Sequence, residues 1–136
     1  MKGKLDLVKG WIKKAENDLI NAENSINIKP IPPLDTVCFH AQQCAEKYLK
    51  AYLVYCGIEF EKIHDLLELA RLASKKDKDF EQIFDICEKL TYYAVDVRYP
   101  FLMEEPTEEE AREAIDMAKK IKDFVIKKLP ESVRND

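Results

Sequence analysis

The sequence predicts an all-α fold, an up-and-down bundle of four long helices plus one short helix. Three observations carry that prediction. Apolar residues recur at alternating spacings of three and four through most of the chain, the mark of helices with one buried face. Only three glycines stand among 136 residues while 35% are charged, which suits long solvated helices and leaves too few turn residues for a β-sandwich. The prolines fall between the periodic segments and not within them. We find neither an internal repeat nor a linker, so residues 1–136 are read as a single domain. That length buries a real core without disulfide or metal staples.

The first helix is marked by a seam of Leu5, Val8, Ile12, Ala15, Leu19, Ala22 and Ile26, with Trp11 beside it. It is expected to stop near Asn27, because Pro30, Pro32 and Pro33 forbid continuation and give a stiff connector. The second helix is expected from Leu34 or Asp35 to Cys56, with Gly57 as its stop. It is apolar over more than half its circumference, which suits either a central helix or a dimer contact. Ile63 to Ala73 reads as the short third helix. The fourth runs from about Asp79 to Val97 along Phe80, Ile83, Cys87, Leu90, Ala94 and Val97, and ends before Pro100. Thr107 and Glu110 form a capping box for the fifth, whose inward residues run from Ala111 to Leu129 before Pro130. The last residues are expected to fray.

The formal net charge is −4, so a dedicated binder of phosphate backbones is disfavoured. No apolar run is long enough to span a bilayer, and Met1 to Lys4 leads into an amphipathic pattern, so the expected compartment is the cytoplasm. Cys38, Cys44, Cys56 and Cys87 form no Cys-x-x-Cys pair and only two histidines accompany them, so no metal site is expected. Each cysteine falls at or near an apolar helical position and reads as a reduced core residue. There is no glycine-rich phosphate loop and no His-Glu-x-x-His motif, and no cofactor is expected.

Three features can carry chemistry. At 100° per residue, His40, Gln43, Glu46, Lys47 and Lys50 share one arc of the second helix. That arc is either a solvated face or a polar groove for an anionic ligand or a partner. Gln42 lies at the edge of the apolar arc and, if partly buried, must find a hydrogen-bond partner. His64-Asp65 opens the third helix: Asp65 can cap it, and His64 is either structural or a ligand and acid–base group. Arg98-Tyr99-Pro100 forms a rigid corner, suited to a carboxylate or phosphate, or to a salt bridge anchoring the loop to Glu46 or Asp65.

Phe39 to Leu53 resembles the second helix of HEPN domains, the nucleotide-binding domains of higher eukaryotes and prokaryotes, through its block Gln43-x-x-Glu46-Lys47-x-x-Lys50-Ala51. His64-Asp65-Leu66 resembles the family's His-Asp-Leu element, and Arg98-Tyr99-Pro100 its arginine corner. The resemblance implies a homodimeric four-to-five-helix bundle. It also implies pairing with a small nucleotidyltransferase, as a toxin–antitoxin module or a substrate-binding subunit. Many HEPN proteins are metal-independent ribonucleases that use an Arg followed, after four to six residues, by a His. Here the candidate positions are Met103, Glu104 and Glu105, and none is histidine. No catalytic residue is therefore assigned. The expected function is a non-catalytic module that binds a nucleotide, a nucleotidyltransferase, or both; the alternative is a divergent ribonuclease acting on RNA as a homodimer. Arg98, Tyr99, Lys47 and Lys50 are the phosphate candidates, with Glu46, Gln43, His64 and Asp65 around them.

Overall fold

The computed structural model describes residues 3–95 and 105–134. Helices α1 (Lys4–Ser25), α2 (Leu34–Cys56) and α3 (Leu66–Ser74) come first. A 3-10 segment (Lys78–Ile83) then runs straight into α4 (Phe84–Val95), followed by α5 (Glu108–Lys127) and a single turn, α6 (Glu131–Arg134). All the described secondary structure is helical.

α2 is the central element and packs on α1, α3, α4 and α5. Val37, Cys38, Ala41, Cys44, Ala45, Leu49 and Leu53 are all fully buried, as the wide apolar arc requires. α1 lies antiparallel to it. Lys4 meets Tyr55, Trp11 meets Lys50, Glu16 meets Tyr48, and Asp18 meets His40, so the pairing runs backwards along the two helices. The α1 seam is buried from Val8 through Ile26, whereas Leu5 is exposed and belongs to the solvent side. On the other flank, Phe80 sits between Tyr52 and Phe124 with ring centroids 4.5 and 4.9 Å apart, locking the 3-10 segment onto α2 and α5.

Helix ends follow local chemistry. Gly57 takes the left-handed conformation, φ 71°, at the end of α2, which a side chain would disfavour. Thr107 Oγ1 accepts from the Glu110 N–H at 3.0 Å, and Glu110 accepts from the Thr107 N–H at 2.9 Å, so the expected capping box is formed.

Three expectations are corrected. The third helix begins at Leu66, later than Ile63, because Asp65 is its N-cap and accepts from the Glu68 N–H at 3.2 Å. The fourth starts as a 3-10 segment, with Asp77 accepting from the Asp79 N–H at 3.0 Å at its head. The chain end does not fray through Arg134: α6 buries Val133, and Arg134 donates to the Leu129 and Lys127 carbonyls. The expected end of the fourth helix at Val97 lies outside the described residues.

Candidate functional site

The polar arc of α2 is neither a bare solvated face nor an open groove. α1 and the segment after α2 cover much of it, and two buried carboxylates organise it. Asp18 of α1 is one. His40 Nδ1 donates to its Oδ1 at 2.9 Å, and Lys47 Nζ donates to its Oδ2 at 2.5 Å. Glu46 of α2 is the other. Lys50 Nζ and His64 Nδ1 both meet its Oε2 at 2.9 Å, while Gln42 Nε2 donates to its Oε1 at 3.2 Å. Each carboxylate thus holds one lysine and one histidine. Unpaired buried charges would be costly, and this arrangement satisfies them.

Lys50 is enclosed more completely still. Its ammonium lies 5.6 Å from the Trp11 ring centroid and 5.5 Å from that of Phe60, and those two rings meet edge-on. Both Glu46 and Lys50 are buried, at 5% and 6% exposure. Burial alone would raise the Glu46 carboxyl pKa. The hydrogen bonds from Lys50, His64 and Gln42 outweigh burial and hold it below its ordinary value. Glu46 is therefore an ionised anchor.

The sequence-derived candidates separate by role. Glu46 and Lys50 form the interior of the network. Gln43 is half-buried and donates to Gln42 Oε1 at 2.9 Å, which fixes the Gln42 amide. Gln42 is buried as its edge position suggested. Lys47 reaches the rim, with its charge matched by Asp18. His64 keeps 64% of its side chain exposed, and its Nδ1 is held by Glu46, so the ring stands in one orientation with Nε2 as its open nitrogen. Asp65 is exposed and caps α3. Arg98 and Tyr99 lie outside the described residues.

Asp18 and Trp11 escaped the sequence-derived set. Asp18 sits one position before Leu19 at the edge of the α1 seam, and an acid there was the available signal of a buried partner for the lysine-bearing arc. Elsewhere, Tyr48 donates to Glu16, which also pairs with Lys122 at 2.9 Å. Burial pushes the Cys44 and Cys87 thiols up to about 12, so both stay protonated and inert in the core. The described residues contain no cluster of three or more His, Cys, Asp or Glu side chains able to hold a metal ion. No described helix is long and apolar enough to cross a membrane.

Residues 8–129 match the model of the HEPN domain. The chain belongs to the HEPN domain family. Two solved structures agree. The crystal structure of a protein from Thermus thermophilus is similar at 32% identity and a TM-score of 0.76, over 90% of this chain and 98% of that one. The crystal structure of an archaeal HEPN homologue is similar at 30% identity and a TM-score of 0.69, over 94% of this chain and 98% of that one. A comparison with curated proteins finds no match. In this HEPN domain the Gln43 to Ala51 block builds the interior of the polar network, and the His-Asp-Leu element supplies both a network member, His64, and a helix cap, Asp65.

Proposed function

We propose that this HEPN domain is a non-catalytic binding module that forms a homodimer and binds a small nucleotidyltransferase, a nucleotide, or both. The observation that carries the reading is the stretch after Arg98, where Met103, Glu104 and Glu105 occupy the positions at which the family's ribonucleases place histidine. A carboxylate at neutral pH has no proton to donate, so Glu104 and Glu105 are poor substitutes for the missing acid.

The α2 network supports the same reading. Its internal lysine and carboxylate are matched to each other, as in a structural frame. The rim residues Lys47 and His64, together with Arg98 and Tyr99, are the groups assigned to the ligand. A guanidinium fork suits a phosphate or carboxylate, and an oriented imidazole adds one directed contact.

The experiment is calorimetric titration of the dimer with adenosine triphosphate, using wild type and Arg98→Ala. Loss of binding with unchanged helical circular dichroism is the expected result. Unaltered affinity in the variant refutes the role given to Arg98. Degradation of single-stranded RNA by wild type and not by Arg98→Ala refutes the non-catalytic reading and revives the ribonuclease.

A further inference from the structure

The chain's single tryptophan, Trp11, serves two neighbourhoods. On one side it meets Lys50 and Phe60 in the polar network. On the other it borders a shallow recess of about 310 Å³, whose remaining lining is Asp6, Leu7, Gly10 and Lys14. Gly10 leaves bare backbone as one wall of this recess, and a Cβ there would meet no atom within 4 Å. An apolar recess of this size, walled by an aromatic ring and uncovered backbone, suits a flat ring.

The helix register ties this recess to the rim of the network. Trp11 lies against Lys50 in the antiparallel pair of α1 and α2. Three residues onward along α1 and three back along α2, Lys14 stands level with Lys47. Packed helix axes are about 8–10 Å apart, so two lysine side chains at one level can converge on a single phosphate. Lys14 is exposed and makes no ion pair or hydrogen bond among the described residues. Lys47 spends one of its three donors on Asp18 and keeps two. The nearby carboxylates are engaged: Asp18 and Glu46 each hold a lysine and a histidine, and Asp6 accepts from the Gly3 N–H at 3.3 Å. Exposed Lys13, beyond Gly10, adds a further positive charge. Resting on the nucleotide-binding reading above, we propose that the recess beside Trp11 is the nucleobase subsite of that ligand and that Lys14 contacts its phosphates together with Lys47. The base lies over Gly10 against Trp11, and the phosphates run past Lys14 to Lys47.

Titration with adenosine triphosphate and with inorganic tripolyphosphate, which has the phosphates without the base, tests both parts. Binding is followed by calorimetry and by the fluorescence of Trp11, using wild type, Gly10→Leu and Lys14→Ala. Leucine is a good helix former and fills the recess, and circular dichroism checks that α1 stays folded. The expected result for wild type is several-fold tighter binding of adenosine triphosphate than of tripolyphosphate, with a change in Trp11 fluorescence for the nucleotide alone. Gly10→Leu removes that preference and leaves tripolyphosphate affinity unchanged, whereas Lys14→Ala weakens both ligands several-fold. Equal wild-type affinity for the two ligands, or wild-type nucleotide binding by Gly10→Leu, overturns the base subsite, and unchanged affinity in Lys14→Ala overturns the phosphate contact. Nucleotide binding that Arg98→Ala abolishes while Gly10→Leu and Lys14→Ala retain it overturns the subsite and leaves the nucleotide reading standing; no binding by wild type overturns both.

Discussion

At the scale of single residues, Glu46 has the most consequence. It is the counter-charge of the caged Lys50 and the anchor of His64, so Glu46→Gln leaves a buried ammonium without its partner. We expect a loss of about 3 kcal/mol in unfolding free energy, measured by urea denaturation at neutral pH. The pH dependence has a definite sign. The folded-state carboxyl of Glu46 titrates below its ordinary value of 4.5, so its contribution is complete above that pH and is lost as pH falls through the lower folded-state value. The gap between wild type and Glu46→Gln should accordingly narrow below pH 4.5, and a gap that stays constant down to pH 3 contradicts the assigned ionisation. The residues of this network were partly legible in the sequence. Glu46, Lys47, Lys50 and His40 share an arc by simple helical arithmetic, and Gln42 stood out as polar at an apolar edge. The pairing of that arc with Asp18 was not legible, because it depends on which turn of α1 lies against which turn of α2, a matter of tertiary register. Trp11 and Phe60 around Lys50 were hidden for the same reason.

At the scale of elements, helix ends were the most readable feature, since they rest on local chemistry. Gly57 ends α2 and the Thr107–Glu110 box starts α5, each from residues within one turn. Thr107→Ala should cost about 1 kcal/mol in unfolding free energy, seen as a lower denaturation midpoint. A midpoint equal to wild type would mean that the cap is dispensable. The third helix start was misplaced because Ile63 continues the apolar spacing, and only the Asp65 side chain bonded to the Glu68 N–H shows where the helix begins. The 3-10 segment and α6 were missed because short helical turns have no periodicity of their own. Packing decides them, through Phe80 between two rings and Val133 in the core. Gly10 gives a prediction that rests on helix propensity alone. A Cβ at Gly10 meets no atom within 4 Å, so Gly10→Ala should raise the unfolding free energy by about 1 kcal/mol through helix propensity, as measured by urea denaturation. A destabilised variant would mean that Gly10 serves a need within the chain.

At the scale of the whole molecule, the fold followed from the seams. A central α2 flanked by four other helices is what an apolar arc wider than half a turn demands, and α1 and α5 show the narrower seams of outer helices. Family membership joins that fold to the Gln-x-x-Glu-Lys-x-x-Lys-Ala block and the His-Asp-Leu element, and the structure assigns both a structural task. The positions after Arg98 at which the family's ribonucleases place histidine hold Met103, Glu104 and Glu105 here, and on that difference the proposed recognition function rests. The measurement that tests this most directly is affinity purification of the tagged protein from its own cells at low and moderate salt, with mass spectrometry and quantification of co-eluting species. The account's partner reading predicts a small nucleotidyltransferase recovered in fixed ratio at both salts; recovery of the homodimer alone would contradict that reading, and recovery with RNA that it cleaves would contradict the non-catalytic function.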